Sequence, residues 1–249
     1  CGAGLADSIG QAYKLAYEGD PLSAFGCIVA LNRPLNSEVA DTIANYRVEK
    51  NSQKLPYFVE AIIAPEIQED AKDLLLKDAD WAERTRMLET GALGPEVLNK
   101  QSRDMKKVVG GMLIQDRDLL ISDLSEAESA TEKYPSEEEI EDLKIAWICC
   151  KHVKSNAITL VKDGMLVGTG AGQMSRVDAT KIALRKAGDR AEGAVLASDA
   201  FFPFPDALEL AAKAGVTAVV QPGGAKGDKK VAQKANDYGV SMLMTGNRH

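Results

Sequence analysis

Cysteine, aromatic side chains and long apolar runs are all scarce in this chain of 249 residues. Its four cysteines include no CxxC pair and two that are adjacent, which argues against a disulfide framework or a zinc knuckle and favours a reducing, cytoplasmic environment. The longest apolar stretches, such as residues 145–150, are far shorter than the roughly 20 residues that span a bilayer. We therefore expect no membrane segment.

Basic charge is scarce too. Thirty Lys and Arg residues against 37 Asp and Glu residues give a formal net charge of −7, and no basic run is interleaved with aromatic residues. Nucleic acid is therefore not an expected partner. What the chain does contain is 45% apolar residues, enough for the core of one large domain or two small ones. Because it opens on Cys1-Gly2, with neither an initiator Met nor a signal peptide, we expect a piece of a longer protein.

The first half of the sequence alternates helical and extended patterns. Apolar residues recur at helical intervals over residues 5–17, and Asn36 or Ser37 is placed to cap a second helix. Short apolar runs over residues 25–31 and 59–65 predict strands that are buried on both faces. This alternation predicts an α/β fold with mixed sheets flanked by helices.

An acidic stretch opens the second half. Ser136 with Glu139 three residues later is a capping box, so we interpret the acidic residues as the start of a helix that ends near Cys150. The stretch before this helix is a candidate linker. We therefore predict two subdomains, residues 1–120 and 121–249.

Beyond that helix the sequence predicts a hairpin, because Asp163-Gly164 joins two apolar runs and tolerates the positive φ angles of a tight turn. Helical and extended patterns then alternate to residue 246. The second half therefore has the same α/β character as the first.

Glycine is concentrated in VGTGAGQMSR, residues 167–176, between a predicted strand and a predicted helix. The backbone N–H groups of such a turn can hold an anion, and Arg176 adds a guanidinium at the junction. A phosphate site and a purely structural turn both stay open. A dinucleotide-binding oxidoreductase that uses the turn at 168–172 is a rival interpretation, but the GxGxG spacing and the preceding hairpin count against it.

Residues 151–158, KHVKSNAI, place polar side chains between two apolar elements. Polar groups in such a position are paired or functional. His152 is one of only two histidines and is either a hydrogen-bonded structural residue or a base.

Three of the five phenylalanines fall in SDAFFPFPDA, residues 198–207. Pro203 and Pro205 force an irregular path directly after a predicted strand, where α/β proteins place ligands. The rings either fill the core or form a wall against a flat heterocycle. The carboxylates of Asp199 and Asp206 favour the wall, because an acid beside an aromatic slot can hydrogen-bond the edge of a pterin or purine.

Taken together, these stretches resemble the formyltransferase part of the bifunctional purine-biosynthesis enzymes that combine aminoimidazole carboxamide ribotide (AICAR) transformylase with IMP cyclohydrolase. The matching segments run almost end to end: DPLSAFGCIVALNRP (20–34), VEAIIAP (59–65), VVGGMLIQDRD (108–118), KHVKSNAI (151–158), VGTGAGQMSRVDATKIA (167–183), GAVLASDAFFPFPDALELAAKAGVTAVVQPGG (193–224) and MTGNRH (244–249). The resemblance implies transfer of a formyl group from 10-formyltetrahydrofolate to the 5-amino group of AICAR. It also implies two cytidine-deaminase-like subdomains and a homodimer with sites at the subunit interface. The cyclohydrolase part has no counterpart in this sequence.

The resemblance assigns roles by matching position. Asn156 would orient the formyl group or the reacting amine. The nucleotide pocket would be formed by Ser23, Phe25, Gly26, Glu60, Arg176 and Arg248. The folate wall would be formed by Phe201, Pro203, Phe204 and Asp206, with Asp206 facing the pterin. Some members bind a monovalent cation such as K⁺, which implies a site near Asp199 and the backbone of Cys150.

The sequence departs from the family pattern at its N-terminus. Family members carry KHxNPCG, whose histidine assists deprotonation of the amine and whose lysine stabilises developing charge, whereas this sequence opens at the final Cys1-Gly2. General acid–base help is worth about 10²- to 10⁴-fold, so we expect ligand binding with little turnover. The HxE and PCxxC signature of zinc deaminases is absent, and zinc is not expected. A non-catalytic interaction domain is a third interpretation.

Overall fold

The computed structural model describes residues 1–50, 52–92, 94, 103–119 and 121–248. The helices in this part of the chain are α1 (Ile9–Gly19), α2 (Ser37–Asn45), α3 (Glu69–Asp78), α4 (Glu137–Lys151), α5 (Arg176–Ala187), α6 (Asp206–Lys213) and α7 (Asp228–Asp237). The strands are β1 (Cys27–Ala30), β2 (Glu49–Lys50), β3 (Gln53–Lys54), β4 (Val59–Ala64), β5 (Arg86–Glu89), β6 (Arg103–Val108), β7 (Gly111–Asp116), β8 (Glu128–Ser129), β9 (Ile158–Lys162), β10 (Met165–Gly170), β11 (Val195–Ser198), β12 (Ala218–Gln221) and β13 (Ser241–Met244). The α/β class that the sequence predicts is confirmed.

In the first half, a parallel sheet with the strand order β1-β4-β5 packs against α1, α2 and α3. The strand register aligns Val29, Ile62 and Met87 across the sheet, and all three belong to the apolar core beneath the helices. The Asn36 side chain accepts a hydrogen bond from the Val39 backbone N–H at 3.1 Å. Asn36 is therefore the residue that caps α2.

Two sequence predictions for this half are wrong. β1 is not buried on both faces, because it is the edge strand of a sheet that helices cover on one side, and Ile28 on the open side is 70% exposed. The helix predicted from residue 5 begins instead at Ile9, after Ser8 caps it. Residues 3–5 pair with the edge of β10, which supplies hydrogen bonds that a helix would otherwise provide.

The second half is built on a sheet with the order β10-β9-β11-β12-β13-β8. β11, β12 and β13 are parallel, whereas β9, β10 and β8 join antiparallel. Val195 and Ala197 pack with α4 on one face, and Leu196 packs with α5, α6 and α7 on the other. The capping box at Ser136, the hairpin at Asp163-Gly164 and the later alternation of helices and strands are confirmed.

The glycine-rich stretch is mostly strand and not turn. Gly168 and Gly170 lie in β10, where α5 packs so closely that an added Cβ would lie 2.3 Å from the Ala183 carbonyl oxygen and 1.9 Å from that of Ala179, respectively. Only Gly172, with a φ of +65°, lies in the connection to α5. The prediction of a glycine-rich turn is therefore wrong for the first two glycines. The close packing of α5 on β10 requires glycine at these two positions, so a dinucleotide-binding loop is not needed to account for them.

The parallel strands β11, β12 and β13 end at one edge of the second sheet. Three segments leave this edge, namely residues 199–205, 222–227 and 245–248. β9 begins at the same edge, since it runs antiparallel to β11 with Ile158 opposite Ser198. The carboxyl edge of a parallel sheet is where α/β proteins bind ligands.

The apolar cores divide along the sequence. One cluster lies within residues 9–87, and two lie within residues 124–244 with Ala3 packed against one of them. The boundary between residues 1–120 and 121–249 stays a prediction, and Leu120 and His249 lie outside the described residues. The hairpin of β6 and β7, exposed along its length, was not anticipated from the sequence. Across the described residues, no helix is both long and apolar enough to cross a membrane.

Candidate functional site

A cavity of about 420 Å³ opens at the carboxyl edge of the second sheet. Its walls come from the segment that precedes β9, the start of α5, the connection from β11 to α6 and the C-terminal segment. The lining residues are Asn156, Met174, Ser175, Arg176, Val177, Ala200, Phe201, Pro203, Phe204, Asp206 and Arg248. This volume lies within the range of about 300 to 1,000 Å³ that is typical of small-molecule sites.

The phenylalanine cluster divides between the core and the cavity. Phe202 is fully buried, and its backbone N–H donates to the side-chain oxygen of Gln221 at 2.9 Å. Phe201 and Phe204 line the cavity and are 37% and 66% exposed, respectively. One ring therefore fills the core, while two present apolar surface to the cavity.

Pro203 and Asp206 lie on the same wall as these two rings. Asp206 is the first residue of α6, and its Oδ1 accepts a hydrogen bond from the Ala207 backbone N–H at 2.8 Å. The positive end of the helix dipole favours a carboxylate at this position. The residues that the resemblance assigns to a folate wall are thus brought together, with Arg248 lining the same cavity.

Asn156 and Arg176 are joined to Asp199 in one buried network. The Arg176 guanidinium, only 6% exposed, forms an ion pair with Asp199. It also donates to the Asn156 Oδ1 at 2.8 Å and to the Ala157 carbonyl oxygen at 3.2 Å. The Asn156 Nδ2 donates to the Gln173 carbonyl oxygen at 2.8 Å. Arg176 lines the cavity with its guanidinium held by protein groups, and its role toward a nucleotide stays a prediction.

Both carboxylate oxygens of Asp199 accept hydrogen bonds from protein donors. Burial opposes ionisation, but the Ser155 hydroxyl, the Ala157 N–H and the Arg176 guanidinium outweigh it and lower the pKa of Asp199 below its usual value. The carboxylate therefore carries its charge at neutral pH. Both oxygens are engaged by protein donors, and Oδ2, which among the described residues accepts from the Ser155 hydroxyl alone, keeps a further lone pair. The cation site stays a prediction, and the proposed function does not depend on it.

Four residues assigned to the nucleotide pocket do not line the cavity: Ser23, Phe25, Gly26 and Glu60. They belong to the first sheet and the turn that leads into it. Phe25 is 63% exposed, and the Glu60 carboxylate pairs with the Arg86 guanidinium at 3.3 Å.

The KHVKSN segment contributes Asn156 to the cavity but not its histidine. His152 is exposed and caps the end of α4, and the Lys151 ammonium pairs with Asp118 at 3.3 Å. These positions favour the structural interpretation of His152. Sequence reasoning missed further lining residues, whose only signal was proximity to predicted ones: Met174, Ser175, Val177 and Ala200.

The fold and the cavity together define an α/β protein with a candidate small-molecule site where its parallel strands end. Comparison with protein families is more specific. The family described as AICARFT/IMPCHase bienzyme matches residues 1–186. Since this match covers most of the sequence, the chain belongs to that family.

Several curated relatives align with this sequence over its whole length. The bifunctional purine biosynthesis protein PurH of Anoxybacillus flavithermus is 46% identical over 249 residues, and those of Thermoanaerobacter sp. and Rhodopirellula baltica are 44% and 42% identical. Each alignment covers 100% of this chain and 45% of the relative. The chain therefore spans a little under half the length of the relatives it matches. Among solved structures, Acinetobacter baumannii RibD, form 2, has a TM-score of 0.30 at 23% identity over 43% of this chain and 34% of its own.

Proposed function

We propose that this chain is the transformylase part of a bifunctional enzyme of cytoplasmic purine biosynthesis. On this proposal it transfers the formyl group of 10-formyltetrahydrofolate to the 5-amino group of AICAR. The observation that carries the proposal is a single cavity that joins Phe201, Phe204 and Asp206 to Asn156 and Arg248. The relatives, which are bifunctional purine biosynthesis proteins, support the pathway.

The two sides of the cavity suit the two substrates. A pterin ring is flat and carries N–H donors on one edge, so it can lie against the exposed rings of Phe201 and Phe204 and donate to Asp206. A ribonucleotide carries a phosphate, for which Arg248 offers an exposed guanidinium. The cavity thus provides a carboxylate for the donor-rich ligand and a cation for the anionic one.

The reaction needs a polarised formyl oxygen and a group that removes a proton from the amine. The amine is a weak nucleophile, because its lone pair is conjugated with the aromatic ring that bears the carboxamide. Asn156 supplies an N–H donor at the cavity wall, which suits the developing negative charge on the formyl oxygen. The cavity lining seen in the described residues contains no histidine or lysine. We therefore keep the proposal that the Lys-His pair of the family's KHxNPCG segment supplies the proton transfer.

Titration with AICAR and a folate analogue, separately and together, tests the proposed function. We expect each ligand to raise the melting temperature, and the pair to raise it further, since a ligand at 100 times its Kd adds about 2.7 kcal/mol of stability. We expect Asp206→Asn to reduce the stabilisation by the folate analogue and to leave that by AICAR unchanged. Stabilisation by NAD(P) alone would support the oxidoreductase instead, and stabilisation by none of the three would leave an interaction domain.

We also propose that two copies of the chain form the complete site. The open face of the first sheet is apolar where Ile28 and Leu88 lie, 70% and 51% exposed. The hairpin of β6 and β7 also exposes large apolar side chains, namely Met105, Val109, Met112, Leu113 and Ile114. Such a surface is typical of a protein interface. A second copy also offers a means of bringing Ser23, Phe25 and Glu60 toward the cavity.

Sedimentation equilibrium tests the homodimer. We expect the unmutated chain to sediment as a dimer and Ile28→Asp to sediment as a monomer, because the substitution places a charge in the proposed interface. Leu76→Asp is the matched control, since Leu76 is also an exposed apolar residue but lies on α3, on the covered side of the sheet. A monomeric unmutated chain, or equal dissociation by both substitutions, would contradict the proposed interface.

A further inference from the structure

The neighbours of Asn156 decide how its side-chain amide is oriented. An arginine can only donate hydrogen bonds, so the atom that faces the Arg176 guanidinium at 2.8 Å must be Oδ1. A carbonyl can only accept, so the atom that faces the Gln173 oxygen at 2.8 Å must be Nδ2. Among the described residues, the second N–H of Nδ2 has no acceptor. Since Asn156 lines the cavity, that N–H is available to a ligand there.

Arg176 holds this orientation only while its own charge is balanced. Its guanidinium is 6% exposed, and the Asp199 carboxylate that pairs with it is 3% exposed. A buried guanidinium without a counter-charge is strongly unfavourable and would move toward water. Asp199 is fixed in turn by the Ser155 hydroxyl and by the Ala157 backbone N–H at 2.8 Å. Asp199 therefore holds Arg176 in place, and Arg176 in turn orients the side-chain amide of Asn156.

We infer that Asp199 is a positioning residue that fixes the side-chain amide of Asn156 through Arg176. The inference rests on the function proposed above, in which the available N–H of Asn156 donates to the formyl oxygen as that atom gains negative charge. Asp199 touches neither substrate in this scheme. A catalytic donor displaced by about 1 Å can lower a rate about 100-fold, so a residue behind Asn156 can control the rate without changing substrate binding.

A double-mutant cycle separates positioning from a general loss of structure. We expect Asp199→Asn to lower the slow single-turnover rate of this chain about 100-fold, while the concentration of each substrate that gives half of the maximal rate changes less than about threefold. In the Asn156→Ala background, the same substitution should change the rate less than about threefold, because there is no longer an amide to position. Equal losses in both backgrounds would overturn the inference. Asp237→Asn is the matched control, since Asp237 pairs with Lys234 at 3.8 Å on α7 and does not line the cavity.

A spectroscopic readout keeps the inference testable if Asp199→Asn folds poorly or turnover is too slow to follow. The side-chain ¹⁵N signals of Asn156 can be assigned by their absence in Asn156→Ala. We expect Arg176→Lys, which keeps the positive charge but not the planar fork, to shift these signals and speed their hydrogen exchange, and Arg185→Lys on the same helix to leave them unchanged. Unchanged signals in Arg176→Lys would overturn the inference. Failure of AICAR and folate to bind, with the signals shifted, would instead contradict the proposed function alone.

Discussion

Phe202 and Phe204 are two positions apart and lie in opposite environments. Phe202 packs into the core with Leu196 and Val219, whereas Phe204 is 66% exposed on the cavity wall. Pro203 lies between them and fixes the backbone φ near −65°, which holds the chain in the irregular path that separates the two side chains. At the scale of single residues, the same amino acid therefore fills the core at position 202 and lines the cavity at position 204.

Alanine substitution of these two rings should have different effects. We expect Phe202→Ala to lower the free energy of unfolding by about 3–5 kcal/mol, because it leaves a cavity in the core. We expect Phe204→Ala to change stability little but to weaken binding of a folate analogue about tenfold, since an aromatic contact contributes about 0.5–1.5 kcal/mol beyond buried area. Urea unfolding and calorimetric titration measure the two effects. A large stability loss in Phe204→Ala would place that ring in the core.

The contact between α5 and β10 sets the geometry of the site at the scale of elements. Gly168 and Gly170 let the helix approach the strand closely. Ser175 caps the helix by accepting a hydrogen bond from the Asp178 backbone N–H at 3.0 Å, and Arg176 follows as its first residue. The distance between α5 and β10 therefore determines where the guanidinium of Arg176 lies.

A single methyl group on Gly170 should disrupt this contact. We expect Gly170→Ala to lower the free energy of unfolding by about 3 kcal/mol or more, because the added Cβ would lie 1.9 Å from the Ala179 carbonyl oxygen and neither backbone can move freely. Gly111→Ala in β7 is the matched control, since an added Cβ there meets nothing within 4 Å. Chemical denaturation of the two variants provides the comparison. Equal stability would show that α5 can shift away from β10 at low cost.

At the scale of the whole molecule, polar contacts tie the two halves together. The Asp20 carboxylate accepts from the Lys186 ammonium at 2.6 Å. The Arg190 guanidinium donates to the Glu18 carbonyl oxygen at 2.8 Å and to that of Gly19 at 3.2 Å. α1 therefore packs directly against the second half, next to residues 3–5.

The Asp20 contact should make stability depend on pH. Burial opposes ionisation of Asp20, but hydrogen bonds, the largest of them from Lys186, outweigh it and lower the pKa from 3.8 to about 2. Because the folded pKa lies below the unfolded one, the stabilisation is complete above about pH 4 and is lost as the pH falls toward 2. We expect Asp20→Asn to cost about 1 kcal/mol at pH 7 and almost nothing near pH 2. Thermal unfolding at several pH values checks this, and a difference that does not depend on pH would rule out the ion pair as its cause.

The sequence by itself determined the local structure and the class of protein. Helix caps such as Ser136 and turns such as Asp163-Gly164 depend on residues a few positions apart, so they can be predicted without a fold. The alternation of apolar patterns predicts an α/β fold for a similar reason. The sequence also predicts the aromatic wall, because prolines directly after a strand mark a loop at the ligand-binding edge and Asp199 and Asp206 place carboxylates beside the rings.

Tertiary structure alone decided which side chains meet. Ile28 lies in an apolar run that predicts a buried strand, yet it is exposed because it lies on the face of the sheet opposite the helices. Gly170 looks like part of a turn but lies in a strand beneath a helix. Arg176 looks like a free anion ligand, yet Asp199, 23 residues later, holds its guanidinium. Burial and charge pairing are set by neighbours distant in the chain, and the local pattern that predicts a helix or strand carries no information about them.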